Sequence, residues 1–330
     1  MTTTARLNEV ATFSGHKDAV MALGTCETPD AKLLFSASRD RRVLGWSLGE
    51  GAMFGRIVKE FTKHGHSVND VAVARSGSFV VSAGCDGLGR IIDVQSGERT
   101  LLRGHESDLT CAAINCQENK IVTGSVDKTL RLWNMCGELQ HTFDAAIECA
   151  HEDWVMCAEF RPLDENEVVS GSVDGTVKVW DIDARVVKST FFDGCLIQSC
   201  AEGSEYRTRP VADGSFAVRA LALSADGSCC AYGGSNCKTY ILNLAESEAI
   251  AAFETDTPVS ALAFGLTDVI LACGTQDKIY IWDVVSNCLL AVADLSAHGK
   301  RVRCRSLVWT TSNLIAGLGN GKILVFEFVR

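Results

Sequence analysis

The chain has 330 residues, of which 47% are apolar, 22% are charged and four are proline, a composition that supports a packed core and argues against disorder. Its formal net charge of −10 argues against indiscriminate binding to nucleic acid or to an anionic membrane. No apolar run approaches the roughly 18 residues that a membrane span needs, and no signal peptide is visible, so we expect a cytoplasmic protein.

Seven segments, taken in chain order, share one pattern: an apolar run, small residues, a polar turn and a second apolar run that ends near an aromatic position. They are LLFSASRDRRVLGW, FVVSAGCDGLGRII, IVTGSVDKTLRLW, VVSGSVDGTVKVW, CCAYGGSNCKTYIL, ILACGTQDKIYIW and LIAGLGNGKILVF. Their closing residues are Trp46, Ile92, Trp133, Trp180, Leu242, Trp282 and Phe326. The spacing between successive closing residues is 40 to 47, except for one gap of 62.

A period in the forties, with Trp-Asp endings at 180–181 and 282–283, resembles the WD-repeat family, in which each repeat forms one four-stranded blade. The predicted fold is therefore all-β, a seven-bladed β-propeller. The expected blades span approximately residues 14–61, 62–102, 103–145, 149–192, 216–254, 257–293 and 298–330. We expect a strand over 5–13 to join the last blade and close the ring, and 193–215 to form a loop inserted between blades 4 and 5.

The histidines recur at a regular position in the repeats. Five histidines lie four residues before the first apolar residue of a predicted strand, and 22 to 24 residues before the polar residue of the next turn. They are His16, His64, His105, His151 and His298. In blade 2 this spacing selects His64 rather than His66.

In the WD-repeat family the histidine, a strand Ser or Thr, the turn Asp and the Trp indole hydrogen-bond in series within one blade. The matching sets are His16, Ser36, Asp40 and Trp46; His105, Thr123, Asp127 and Trp133; and His151, Ser170, Asp174 and Trp180. Each member satisfies a neighbour that would otherwise be buried unpaired, at a cost of about 1–3 kcal/mol per group. Because the pattern recurs from repeat to repeat, we interpret these His–Asp pairs as structural and not catalytic.

Three blades depart from this pattern. Blade 5 has Asn236 in the turn, Leu242 in place of Trp and no His, and blade 6 also lacks the His. Blade 7 keeps His298 but has Asn320 and Phe326. We expect these blades to depend more on apolar packing.

No enzyme motif is present with its required spacing. The run GLGNGK at 317–322 lacks the spacing and the Ser/Thr of a phosphate loop, and the run HEDW at 151–154 is not a zinc motif. The fifteen cysteines are scattered without Cys-x-x-Cys pairs and are typical of small apolar side chains in a reducing compartment. We therefore predict a protein that is not an enzyme, with no catalytic residue, no metal site, no cofactor and no small-molecule substrate.

Basic charge is concentrated at the start of the chain. Residues 1–66 carry a net charge of +2 and the remainder −12. The strongly basic turn is that of blade 1, and lysines flank it on the same expected face. The candidate phosphate-docking residues are Arg39, Arg41, Arg42, Lys17 and Lys63. The alternative interpretation is an ordinary charged face in contact with solvent. Arginine guanidinium groups, however, favour bidentate hydrogen bonds to phosphate. On a turn they would recognise the shape of a nucleic-acid backbone more than its base sequence.

The stretches SASRDRRVLGW, HEDWVMCAEFRP and VRALALSADGSCCAYGG resemble the family of the receptor for activated C kinase, propellers that are similar to a G-protein β subunit. The resemblance implies a place on the small ribosomal subunit, in contact with ribosomal RNA and ribosomal proteins. It also implies recruitment of kinases or other signalling proteins. The family's ribosome contact uses the basic residues of an Arg-Asp-Lys turn in blade 1, which carry over to Arg39 and Arg41.

We therefore expect a non-catalytic scaffold, cytoplasmic and ribosome-associated, that recruits signalling or translation-control proteins and is a monomer off the ribosome. The alternative is a WD-repeat adaptor of a non-ribosomal complex, such as a ubiquitin-ligase, chromatin or G-protein-like assembly.

Overall fold

The computed structural model describes residues 5–29, 32–49, 51–62, 64–147, 149–199, 216–267, 269–299 and 302–329, with the backbone alone at 198 and 199. Within those ranges the chain forms 29 β-strands and two 3-10 helices, Gly51–Met53 and Ser296–His298. The strands pair into seven sheets, six of four strands and one of five. The prediction of an all-β, seven-bladed propeller is confirmed.

Each of the first four blades is built from strands that are consecutive in the chain. Blade 1 contains β2 (Val20–Glu27), β3 (Lys32–Ser38), β4 (Arg42–Ser47) and β5 (Ile57–Thr62). Blade 2 contains β6 (Val68–Val73), β7 (Phe79–Gly84), β8 (Gly89–Asp93) and β9 (Arg99–Leu102). Blade 3 contains β10 (Leu109–Ile114), β11 (Lys120–Ser125), β12 (Leu130–Asn134) and β13 (Leu139–Phe143). Blade 4 contains β14 (Val155–Phe160), β15 (Glu167–Ser172), β16 (Thr176–Asp181), β17 (Val186–Phe192) and β18 (Cys195–Ser199).

The last three blades follow the same order, except that the final sheet takes its outer strand from the start of the chain. Blade 5 contains β19 (Val218–Leu223), β20 (Cys229–Gly234), β21 (Lys238–Asn243) and β22 (Glu248–Glu254). Blade 6 contains β23 (Ala261–Phe264), β24 (Ile270–Gly274), β25 (Lys278–Asp283) and β26 (Cys288–Asp294). Blade 7 contains β27 (Cys304–Trp309), β28 (Asn313–Leu318), β29 (Lys322–Val329) and β1 (Arg6–Ser14).

The N-terminal strand closes the ring. β1 runs antiparallel to β29, from the pair Arg6–Val329 to the pair Ser14–Lys322. A side-chain contact adds to this closure, because Nε2 of His298 lies 2.9 Å from Oε2 of Glu9. The predicted closure by an N-terminal strand is thus confirmed, and it pairs the strand edge that blade 7 would otherwise expose.

Apolar packing between blades forms the core. Seven clusters of buried side chains each combine residues of two neighbouring blades. For example, Leu44 and Trp46 of blade 1 pack with Ile315 and Val325 of blade 7. The middle strands are buried on both faces, which explains why they read as continuous apolar or small runs, whereas outer strands such as β1 expose most of their residues.

A fifth strand extends blade 4 into the segment predicted as an inserted loop over 193–215. β18 occupies the first part of that segment and pairs with β17, beginning at Phe192–Cys195. Residues 200–215 lie outside the described residues.

The turn before β18 also binds the next blade. The backbone N–H of Gly194 donates a 2.7 Å hydrogen bond to the hydroxyl of Tyr232, and the hydroxyl of Tyr240 donates to Asp193. The two tyrosine rings stack at 5.2 Å between centroids. Blade 5, which lacks the histidine set, is therefore joined to blade 4 by tyrosines.

Candidate functional site

The three complete polar sets each form a continuous chain of hydrogen bonds. In blade 1, Nδ1 of His16 lies 2.9 Å from Oδ2 of Asp40, while Nε2 of His16 and Nε1 of Trp46 lie 2.7 and 2.8 Å from Oγ of Ser36. The same contacts, at 2.7–3.0 Å, join His105, Thr123, Asp127 and Trp133 in blade 3 and His151, Ser170, Asp174 and Trp180 in blade 4. Each chain runs from the turn into the interior of its blade.

The chemistry of the groups sets the direction of these bonds. A carboxylate can only accept, so Nδ1–H of His16 donates to Asp40, Nε2 accepts from the Ser36 hydroxyl, and Ser36 Oγ accepts from the Trp46 indole. Burial alone would favour the neutral acid, but hydrogen bonds from His16 and Arg42 hold the pKa of Asp40 well below its ordinary value. The turn carboxylate is therefore charged and fully occupied, which is the behaviour of a structural group.

Blade 2 uses an arginine in its polar cluster. His64 contacts Ser82 at 2.7 Å, and both Asp86 and the guanidinium of Arg90 lie against its Nδ1. Because a guanidinium can only donate, Nδ1 accepts and the imidazole is neutral. Burial, followed by the charge of Arg90, lowers the pKa of His64 to about 4.

The histidine of blade 7 differs from the others. The side chain of His298 binds Glu9, and only its backbone oxygen accepts a 3.1 Å hydrogen bond from Asn320. The 22-residue spacing is thus kept without a blade 7 polar set, because Asn320 is directed at the main chain.

The blade 1 turn, residues 39–42, is held rigidly by Asp40. Its carboxylate accepts hydrogen bonds from the backbone N–H of Lys17 at 2.9 Å and of Arg42 at 3.1 Å. Arg41 has a φ of 71°, in the left-handed region, where blade 4 has Gly175. Fixed backbone hydrogen bonds therefore determine where the turn's arginine side chains emerge.

The structure separates the predicted docking residues. The guanidinium of Arg42 binds Asp40 at 2.8 Å, Glu60 at 3.2 Å and the backbone oxygen of Gly15 at 2.7 Å. These three contacts occupy most of its donors, so Arg42 supports the turn from within. In this respect it differs from the two arginines that precede it.

Arg39, Arg41 and Lys17 are exposed, and within the described ranges none of their side chains forms an ion pair. A shallow depression of about 430 Å³ beside them is lined by Lys17, Arg41 and Arg42, and its two acids, Asp40 and Glu60, are both bound by Arg42. Lys63 lies outside the described residues. The candidate docking surface is therefore defined here as Arg39, Arg41 and Lys17.

Sequence reasoning missed a second basic group at the central channel. The innermost strands of all seven blades surround a channel of about 860 Å³, whose lining includes Trp154, Arg219, Arg303 and Arg305. The signal lay in their position, since each stands at or just before the first strand of its blade. That signal is weak, because the residues come from three separate repeats.

The fold and the recurring His–Ser/Thr–Asp–Trp chains define a WD-repeat β-propeller, a class of scaffold proteins. The family model described as "WD domain, G-beta repeat" matches residues 7–47, 55–93, 97–134 and 137–181. The chain belongs to the WD-repeat family of RACK1 and G protein β-like proteins.

Three relatives illustrate that membership. The "Guanine nucleotide-binding protein subunit beta-like protein" of Encephalitozoon cuniculi is 36% identical over 98% of both chains. The "Small ribosomal subunit protein RACK1z" of Oryza sativa subsp. japonica is 32% identical over 95% of this chain and 93% of its own. A protein of the same printed name from Arabidopsis thaliana is 30% identical over 97% of both.

Two further observations bear on partner chemistry. No helix in the part of the chain that the structure describes could span a membrane. In the same part, no three His, Cys, Asp or Glu side chains are grouped as a metal site would require.

Proposed function

We propose that this protein is a non-catalytic scaffold of the small ribosomal subunit that docks through the blade 1 turn. The observation that carries the proposal is the pair Arg39 and Arg41, exposed and without an acidic partner among the described residues, on a turn that Asp40 holds rigid. Relatives at 30–32% identity whose printed names place them in the small ribosomal subunit support the same assignment.

Phosphate is the chemistry that this surface would recognise. Guanidinium groups form short, charge-assisted and often bidentate hydrogen bonds to phosphate oxygens. Arginines on a rigid turn lose little conformational freedom on binding, and an acidic body opposes adhesion elsewhere to RNA. The expected contact is with the ribosomal RNA backbone, with ribosomal proteins beside it.

The remainder of the propeller would be available to other proteins. We propose that it recruits kinases or other signalling and translation-control proteins to cytoplasmic ribosomes. Off the ribosome we expect a monomer, because closure by β1 pairs the edge through which sheets could otherwise associate.

The test is sucrose-gradient sedimentation of lysates that contain the parent protein or the R39E/R41E variant. The parent should comigrate with small subunits and translating ribosomes and dissociate as salt is raised. The ribosome-bound fraction of the variant should be at least tenfold smaller than that of the parent, since two charge-assisted contacts become repulsive. A matched control is R56E/R75E, which reverses two exposed arginines in turns on the opposite face.

An unchanged profile for R39E/R41E, with circular dichroism and melting like the parent, would contradict docking through this turn. Absence of the parent from every ribosomal fraction at low salt would instead favour an adaptor of a non-ribosomal assembly.

A further inference from the structure

The mouth of the central channel carries arginines from distant parts of the chain. The upper face is defined here as the face that bears the turns between the second and third strands of each blade. Arg303 lies there, because its backbone oxygen accepts a 2.9 Å hydrogen bond from Gly319, in the corresponding turn of blade 7. Arg219 lies two residues after Ala217, whose backbone oxygen accepts a 3.1 Å hydrogen bond from the N–H of Ser235, in the turn of blade 5.

Local backbone geometry directs two of these side chains to the channel. Arg219 and Arg305 each occupy a register shift at the start of the innermost strand, between Val218 and Ala220 and between Cys304 and Ser306. A bulge of this kind re-aims a side chain relative to a regular strand. Both arginines line the channel. Arg303, two residues before Arg305 in the chain, also lines it and lies at the rim.

These cationic groups are close enough to repel one another. Burial lowers the pKa of Arg305, and the charges of Arg303, Arg39 and Arg219 lower it further. Within the described residues none of the four forms an ion pair, and Nε of Arg305 is buried without a hydrogen-bond partner. An anion at their centre would relieve the repulsion and accept the Arg305 donor.

The two acids among the residues that line the channel, Asp70 and Glu159, accept hydrogen bonds from the main chain. Asp70 accepts backbone hydrogen bonds from Val71 and from Ala112 at 2.8 and 2.9 Å. Glu159 accepts a 3.1 Å hydrogen bond from the N–H of Leu223, the last residue of β19, and so lies toward the opposite end of the channel. Both carboxylates are thus directed at main-chain donors.

An exposed aromatic ring stands at the same rim. Trp154 is 47% exposed, immediately precedes β14 and accepts a 2.9 Å hydrogen bond at its backbone oxygen from Val173, in the upper turn of blade 4. The thioether side chains of Met21 and Met156 also line the channel. The mouth therefore offers an apolar contact beside a cationic one.

We propose that the channel mouth binds a phosphorylated side chain of a partner peptide. Arg219, Arg303 and Arg305 would hold the phosphate, and Trp154 would contact an apolar residue next to it. Converging arginines suit one compact dianion, whereas an RNA strand presents singly charged phosphates in series along a line. Arg39 of the blade 1 turn lies near this site, but Arg219 and Arg303 do not belong to that turn, so substitutions at these two residues test the channel mouth without altering the docking turn.

Fluorescence anisotropy with labelled peptide libraries tests the proposal. Each library fixes phosphoserine, phosphothreonine or phosphotyrosine between randomised positions, and an unphosphorylated library serves as reference. We expect only phosphorylated peptides to bind, with competition by inorganic phosphate. R219Q/R303Q should weaken binding at least tenfold, and R56Q/R75Q, the same charge change on the opposite face, should leave it unchanged.

A second readout uses the parent protein. In NMR spectra, addition of a phosphopeptide that binds should shift the indole N–H resonance of Trp154. That resonance is assigned by its loss in W154F. Equal binding of phosphorylated and unphosphorylated libraries, or no binding of any phosphorylated library, would overturn the proposal. So would phosphopeptide affinity that R219Q/R303Q leaves intact, or replacement of the phosphopeptide by an oligouridine strand that depends on the same two arginines.

Discussion

Nε1 of Trp46 donates a 2.8 Å hydrogen bond to Oγ of Ser36, and both side chains are almost completely excluded from solvent. Equivalent tryptophan bonds in blades 3 and 4 have the same length. A small hydroxyl thus lies between an imidazole and an indole in each of three blades.

We predict that S36A lowers the free energy of unfolding by about 1–3 kcal/mol, because it leaves the Trp46 indole and Nε2 of His16 buried without partners. Urea denaturation measures the change. S312A, at an exposed position, serves as the control. A loss for S36A no larger than for S312A would contradict the structural role given to this bond.

We predict that C273S stabilises blade 6. Cys273 occupies the position in blade 6 that Ser36 occupies in blade 1. In the strand pairing, Cys273 lies opposite Tyr280 and Ser36 lies opposite Leu44, and Tyr280 and Leu44 each stand two residues before the tryptophan of their blade. The indole N–H of Trp282 is buried and has no hydrogen-bond partner among the described residues. A hydroxyl at 273 would accept it, with an expected gain of about 0.5–1.5 kcal/mol by thermal or urea unfolding.

The double variant C273S/W282F identifies the source of that gain. Since phenylalanine has no N–H, the benefit of C273S should disappear in the W282F background. A gain of equal size in both backgrounds would assign it to another cause.

We predict that E159Q stabilises the protein above pH 7. Burial raises the pKa of Glu159 to about 7, despite the backbone hydrogen bond from Leu223, and Asp70 raises it further. The folded state therefore binds more protons than the unfolded state between about pH 4.5 and 7, so this carboxyl's contribution to stability is lost as pH rises through 7. A neutral amide removes that loss, by roughly 1–3 kcal/mol at pH 8.

Urea unfolding at pH 5 and pH 8 measures the effect. E159Q should differ little from the parent at pH 5 and exceed it at pH 8. E248Q, at an exposed position, should follow the parent at both. A pH dependence for E159Q that is as steep as the parent's would be inconsistent with a buried neutral acid at 159.

We predict that R41G and R42Q affect different properties. R41G replaces a left-handed arginine by the residue that blade 4 uses, so stability should stay within about 1 kcal/mol of the parent while ribosome binding weakens. R42Q removes charge-assisted contacts to Asp40 and to the Gly15 oxygen and should cost about 1–3 kcal/mol of stability. Melting curves and sedimentation, run on both variants, distinguish them. Equal loss of stability in the two would show that the two arginines do not divide the roles in this way.

Features that lie within one repeat could be read from the sequence. The run of Ser36, Asp40 and Trp46, with His16 before it, falls inside one blade, where strand pairing places such residues together whatever the neighbouring blades do. The same locality explains why β2, β6, β10 and β14 begin at the apolar residue four positions after a histidine.

Which surface side chains pair with one another could not be predicted from the sequence in this way. Arg39, Arg41 and Arg42 look alike in a basic turn, but only Arg42 reaches Asp40 and Glu60, because the turn directs it back over its own blade. His298 kept the family spacing and yet binds Glu9, since closure of the ring brings the first strand beside it.

The sequence by itself determined the repeat, the number of blades, the closing strand and the polar chains, since each follows from spacing within one repeat or from the count of repeats. Only the tertiary structure decided which arginines are neutralised, and that Trp154, Arg219 and Arg303 meet at one channel mouth. The physical reason is distance along the chain. Hydrogen bonds inside a blade repeat with the sequence, whereas the rim of the channel is assembled from blades whose side chains meet only when the ring is closed.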